Sequence, residues 1–216
     1  MAALVGTGVY PVTEDAVPAE TRLAAVERAL AAGARVVQLR DKSTPRRELL
    51  AEARAMKRLC DRLGAAFIVN DDVAIALACD ADGVHVGQED FPAEEARALL
   101  GESKVVGLSV HSAAQAREVE SISIDYLGVG AMFATSTKSD ATLAGTALLR
   151  AVRAVTERPL VGIGGIDSSN AASVFEAGAD AVAIVRGIFG QAEIGGAVRR
   201  LLEIAATSRQ ERGRRQ

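Results

Sequence analysis

The sequence predicts an α/β fold of the (β/α)8 TIM-barrel type in a single domain, and three observations lead there. Short apolar runs alternate with Ala/Leu-rich helical stretches through eight repeats, joined by short links. Most of these runs lack the polar alternation of a half-exposed sheet, which suits parallel strands buried on both faces. The stretch 160–189 reads strand, glycine turn, helix, strand, second glycine turn. In barrels of this type a phosphate site frequently follows the last two strands.

Taken in order, 8–13 (GVYPVT) is the first strand, with Pro11 awkward if that strand is central. A helix over 19–32 stops at Gly33. The second strand is 36–41 (VVQLRD), and a strongly periodic helix over 45–63 has Pro45 near its first turn. Then come strand 66–71, helix 73–79, strand 83–88, helix 92–100, strand 104–110, helix 113–120 and strand 126–133. The polar, Thr/Ser-rich stretch 134–144 carries no pattern and reads as a mobile loop. Helix 148–156 leads to strand 160–163, helix 168–177 with Ser168 as its cap, strand 181–185, and a last helix over 191–206. The catalytic domain is thus expected over 1–206. The tail 207–216 (TSRQERGRRQ) has no apolar anchor and is expected to be disordered.

Composition narrows the function. A 49% hydrophobic content with only 3% aromatics means a core of Val, Ile, Leu and Ala. The net charge of −3 leaves no nucleic-acid footprint, and no basic run is interleaved with aromatics. With no signal peptide and no long uncharged apolar run, a cytoplasmic protein with no membrane association is expected. Cys60 falls on the helical stripe Leu49, Ala53, Met56, Cys60, Leu63 and reads as a buried small hydrophobe.

Barrel chemistry sits at the C-terminal ends of strands, and the polar residues cluster there. Alternation puts Gln38, Arg40 and Lys42 on one face of the second strand, a grouping that suits a polyanion. The third strand ends Asn70-Asp71-Asp72, the fourth continues to Asp90, the fifth carries Ser109 and His111, and the sixth leads to Thr135-Ser136-Thr137-Lys138. Each has a plainer reading. Arg40 and Lys42 could be a solvated rim; Asp71, Asp72 or Asp90 could cap helices; Thr135–Lys138 could be an ordinary loop; His85 reads as a satisfied core imidazole. Together, carboxylates from two adjacent strands and cations from a third suit a Mg²⁺-diphosphate site. Gly164-Gly165 and Arg186-Gly187 offer unobstructed N–H groups to a monophosphate.

Read as a set, YPVTED (10–15), QLRDK (38–42), VNDD (69–72), DGVHVGQED (82–90), GLSVHS (107–112), TSTK (135–138), GIGGI (162–166) and VAIVRGIF (182–189) resemble the thiamine-phosphate synthase (thiamine-phosphate pyrophosphorylase) family over nearly the whole chain. The resemblance implies a transferase that joins 4-amino-2-methyl-5-(diphosphooxymethyl)pyrimidine to a thiazole phosphate, giving thiamine phosphate and diphosphate. It implies that Gln38, Arg40, Lys42, Asn70, Ser109 and Lys138 bind the pyrimidine diphosphate. Arg40, Lys42 and Lys138 act on the leaving group, and Asp71 and Asp90 hold one Mg²⁺. Thr135, Thr137, Gly165, Val185 and Arg186 meet the thiazole phosphate.

The partners implied are these two small phosphorylated heterocycles; a homo-oligomer is left open. The chain departs from the family at Ala131 and Ala134, where prolines are frequent, and at Arg186, where a small Ser is frequent. The reaction implied is dissociative and Mg²⁺-assisted. The residues agree, since they offer cations, a metal site and N–H donors but no nucleophile–base pair. Two alternatives stand beside it: a thiazole tautomerase on the same barrel, and a catalytically silent phosphate-binding barrel.

Overall fold

The computed structural model describes residues 6, 8–15, 17–134 and 145–215. Eight parallel strands form one sheet: β1 (Val9–Pro11), β2 (Val36–Leu39), β3 (Ala66–Asn70), β4 (Gly83–Val86), β5 (Val105–Val110), β6 (Tyr126–Gly130), β7 (Leu160–Ile163) and β8 (Ala181–Ile184). Their order is β1-β8-β7-β6-β5-β4-β3-β2. The ends meet at the mouth: Val12 pairs with Gln38, Thr13 N–H donates to Gln38 O at 3.0 Å, and Arg40 N–H donates to Thr13 Oγ1 at 2.9 Å.

This late closure explains why Pro11 is tolerated. Val12 N–H points to Ile184 of β8 and Thr13 N–H to β2, so by alternation the N–H that proline lacks would have faced β2, just below where pairing starts. The expected strand thus forms, one residue short of disrupting a ladder.

Around the barrel run α1 (Ala19–Ala31), α2 (Arg46–Leu63), α3 (Val73–Ala78), α4 (Ala93–Leu100), α5 (Ala113–Glu118), α6 (Gly145–Arg153), α7 (Ala171–Glu176), the short α8 (Arg186–Phe189) and α9 (Ile194–Arg215). One apolar layer lies between sheet and helices, and Cys60 is buried in it, its thiol pushed up to about 12 by burial. A smaller layer fills the barrel itself, built from Tyr10, Val12, Val36, Ile68, Tyr126, Val161, Ala181 and Ala183. No helix among the described residues is long and apolar enough to cross a membrane.

Two expectations are corrected. Asn170, not Ser168, precedes the first turn of α7; Asp167 and Asn170 make a turn of their own, in which Asn170 Oδ1 accepts from Asp167 N–H. The tail is helical to Arg215 rather than disordered. It docks through guanidinium groups instead of an apolar anchor. Arg212 donates to the carbonyls of Phe175, in the last turn of α7, and of Ala179, in the loop that follows it. The stretch 135–144, most of the expected mobile loop, lies outside the described residues.

Candidate active site

The C-terminal ends of the strands surround a cavity of about 980 Å³. Gln38, Arg40, Lys42, Asn70, Asp71, Asp90 and Ser109 line one side, and Gly164, Gly165, Val185 and Arg186 line the other. Those positions come together as the strand alternation predicts. Thr135, Thr137 and Lys138 lie outside the described residues.

Local structure aims the charged groups. Asp72 takes the capping duty, its Oδ1 accepting from Ile75 N–H at 3.0 Å, and it also pairs with Arg46 at 2.9 Å. Asp71 is thereby released from capping. Its φ of 62° lies in the left-handed region, which Asp tolerates better than most residues. Its carboxylate meets Lys42 Nζ at 3.0 Å. Asp90 does not cap α4 either: its Oδ2 accepts from Gly87 N–H at 2.8 Å, folding the carboxylate back over the mouth.

Asp71 and Asp90 face each other. Burial and then the Asp90 carboxylate raise the pKa of Asp71, against the pull of Lys42. Burial acts on Asp90 in the same sense but is outweighed by its bonds to Asp71 and to Gly87 N–H, so its pKa is lowered. Two close carboxylates thus stand together beside Lys42. That donor set fits Mg²⁺, which takes one or two carboxylates and completes its octahedron with water and phosphate oxygens. Among the described residues there is no cluster of three or more His, Cys, Asp or Glu for a metal held by protein alone.

The loop carrying Arg40 and Lys42 is pinned from below. Asp41, its side chain fully buried, accepts from the backbone N–H and the hydroxyl of both Ser43 and Thr44. It also pairs at 2.7 Å with Arg22 of α1, whose fork grips Glu52 of α2 at 2.6 and 2.8 Å. Burial alone would raise the pKa of Asp41; the bonds from Thr44 and Ser43 and the Arg22 charge outweigh it and hold the carboxyl well below the usual range.

On the opposite rim the glycines are required. Gly165 has φ +64°, and a Cβ there would lie 2.6 Å from Ala134 O. A Cβ on Gly187 would lie 2.6 Å from Ile166 O. The two turns pack backbone on backbone, which only glycine permits. Arg186, the departure noted above, reaches Glu14 Oε2 with its Nε at 3.1 Å.

With this arrangement in place, the comparison with known proteins is decisive. A model of the thiamine monophosphate synthase family matches residues 9–188. The chain belongs to that family. The thiamine-phosphate synthase of Moorella thermoacetica is 49% identical over 185 residues, covering 85% of this chain and 88% of the relative. That of Thioalkalivibrio sulfidiphilus is 44% identical over 199 residues, covering 90% and 93%. The solved thiamine phosphate pyrophosphorylase from Pyrococcus furiosus superposes with a TM-score of 0.84 at 33% identity, covering 95% and 98% of the two chains. As a member of the thiamine monophosphate synthase family the chain is a transferase of thiamine biosynthesis.

Sequence reasoning missed two residues of this synthase-family cavity. Tyr10 and Tyr126 form its floor with His85. A signal existed: these are the only two tyrosines in the chain, and both occupy inward-facing strand positions. His85 is satisfied, as expected, with Tyr126 OH and Ser109 Oγ each at 2.9 Å, and burial pushes its pKa down to about 4.

Proposed function

We propose that this chain condenses 4-amino-2-methyl-5-(diphosphooxymethyl)pyrimidine with a thiazole phosphate, making thiamine phosphate and releasing diphosphate. The observation that carries the reading is the two-sided mouth. Arg40, Lys42, Asp71 and Asp90 stand on one rim, and the Gly164-Gly165 turn, Val185 and Arg186 on the other rim of the same cavity.

Arg40 and Lys42 bind and orient the diphosphate, and Gln38, Asn70 and Ser109 orient the pyrimidine. Asp71 and Asp90 would hold Mg²⁺, which supplies positive charge to the leaving diphosphate when bound. The methylene C–O bond breaks with its electron pair going to diphosphate, and the electron-rich pyrimidine carries the cation. The thiazole nitrogen, held by its phosphate on the glycine rim, attacks that carbon. Lys42, and Lys138 by family resemblance, stabilise charge as it grows on the departing oxygen. The closely packed floor of Tyr10, Tyr126, Val161 and Ala183 keeps water from the inner face of the cation. A cytoplasmic location belongs to the same proposal.

The test is direct. Protein, Mg²⁺ and both phosphorylated heterocycles are mixed and assayed for thiamine phosphate and diphosphate. Formation of both in equal amounts supports the reading. Proton movement on the thiazole alone would point to the tautomerase, and phosphate-ester binding without product to the silent barrel.

A further inference from the structure

Gln38 and Ser109, on β2 and β5, are joined through the barrel interior by an unbroken chain of hydrogen bonds. Gln38 Nε2 donates to Tyr10 OH at 2.9 Å. Tyr10 OH lies 3.2 Å from Tyr126 OH. Tyr126 OH lies 2.9 Å from His85 Nδ1, and His85 Nε2 lies 2.9 Å from Ser109 Oγ. All five side chains line the cavity. The rings are packed as well as bonded: Tyr10 meets Tyr126 edge-on at 6.2 Å, and His85 stacks on Tyr126 at 5.3 Å.

The strands make room for this chain specifically. A Cβ on Gly107 would lie 2.2 Å from Tyr126 Cζ, and one on Gly128 would lie 2.9 Å from His85 Cε1. Two glycines on adjacent strands therefore clear the slots that the two rings occupy.

With the Gln38 amide nitrogen on Tyr10, counting protons gives the whole chain a direction. The Gln38 amide nitrogen only donates, so Tyr10 oxygen accepts on that side. Tyr10 is 1% exposed and, among the described residues, its only other bonded partner is Tyr126. If Tyr126 donated to Tyr10, the Tyr10 proton would be buried with no acceptor among the described residues, which is costly. Tyr10 therefore donates to Tyr126 and Tyr126 to His85 Nδ1. The neutral imidazole then carries its proton on Nε2 and donates to Ser109 Oγ. At the two ends, Gln38 keeps its carbonyl oxygen as an acceptor for the ligand, and Ser109 keeps its O–H as a donor. Reversing the amide would reverse every link together.

We infer that Tyr10, Tyr126 and His85 are positioning residues that lock Gln38 as an acceptor and Ser109 as a donor, so that the site selects a 4-aminopyrimidine over its 4-oxo counterpart. The exocyclic amine donates to Gln38, whereas an oxo group would set acceptor against acceptor. The inference rests on the proposed pyrimidine substrate and adds the device that discriminates its ring.

The test uses Tyr126→Phe and Tyr10→Phe, which remove one hydroxyl each and keep the ring packing. For both, the KM of the pyrimidine diphosphate should rise about tenfold, as loss of an ordering hydrogen bond implies, while the KM of the thiazole phosphate stays unchanged. The preference for 4-amino over 4-oxo pyrimidine diphosphate should fall at least about tenfold, because an unordered amide can turn to serve either ring. A purely structural role would move both Michaelis constants or neither, and would leave the amino/oxo preference alone; either result overturns the inference.

Calorimetric binding of the unphosphorylated 4-amino-5-hydroxymethyl-2-methylpyrimidine and its 4-oxo analogue repeats the comparison without turnover. If the wild-type chain forms no thiamine phosphate yet binds the amino compound selectively, and Tyr126→Phe loses that selectivity, the catalytic reading fails and the positioning inference stands. Equal affinity of wild type for the two rings overturns it. Should Tyr126→Phe fail to fold, Tyr10→Phe carries the same readouts.

Discussion

Lys42 Nζ stands 3.0 Å from Asp71 Oδ2, joining the end of β2 to the end of β3 at the cavity rim. The lysine side chain is 54% exposed, so the pair adds at most about 1 kcal/mol to stability. In the proposed reaction its importance lies in placing a cation where negative charge develops. Lys42→Met should leave the denaturation midpoint nearly unchanged and raise the reaction barrier by about 2–4 kcal/mol. Paired denaturation and steady-state measurements check this; lost stability with normal turnover would remove Lys42 from the chemistry.

Asp71 and Asp90 are proposed to share one Mg²⁺. Asn tolerates the left-handed backbone of position 71, so Asp71→Asn changes the charge and leaves the turn intact. In Asp71→Asn and in Asp90→Asn the Mg²⁺ concentration for half-maximal activity should rise about tenfold or more, in the range seen when metal-site groups are altered. Magnesium titration of turnover decides it, and curves superimposable on wild type in both variants would rule out the assignment.

Asp41 carries a pH signature. Its carboxyl titrates below the ordinary value in the folded chain, so it stabilises the fold above about pH 4, and that contribution fades as pH falls through the lowered folded value. The stability gap between wild type and Asp41→Asn should therefore be widest near neutrality and shrink in acid. Removing the cation is harsher: Arg22→Met leaves two buried carboxylates unpaired, a loss of about 3–5 kcal/mol. Urea titrations from pH 7 down to about pH 3 measure both effects. A gap that widens in acid contradicts the account.

Gly165 combines a positive φ with a Cβ path closed by Ala134 O. Gly165→Val should raise the thiazole-phosphate KM more than the pyrimidine-diphosphate KM, since the turn it distorts is on the rim proposed for the thiazole. A selective effect on the pyrimidine substrate would reverse the assignment of the two rims. Some loss of stability should accompany it, because the left-handed backbone strains any β-branched residue.

Much of the site was legible in the chain. The alternation Gln38, Arg40, Lys42 and the acidic ends of β3 and β4 are local patterns; the pleat turns Gln38 inward, while Arg40 and Lys42 lie past Leu39 on a loop that Asp41, Arg22 and Glu52 hold in place. What could not be read locally was the division of labour between neighbours. Asp71 and Asp72 look interchangeable as letters, yet one caps α3 and the other faces Lys42. That outcome depends on the backbone conformation of one residue. The helical tail was missed for a related reason: its anchors are guanidinium bonds to backbone carbonyls at and just after the end of α7, and an available carbonyl is invisible in a list of side chains.

By itself, the sequence determined the barrel, its strand order along the chain and the polar character of its mouth, because apolar runs, helix periodicity and glycine stops act over a few residues. Only the tertiary structure decided that Tyr10 would meet Tyr126 across 116 residues of chain, and that Arg22 and Glu52 would close on Asp41 beneath the loop carrying Arg40 and Lys42. Those partners come from elements distant in the chain. Their meeting is set by closure of β1 onto β2 and by how far each helix slides on the sheet, and both depend on the packing of the whole core.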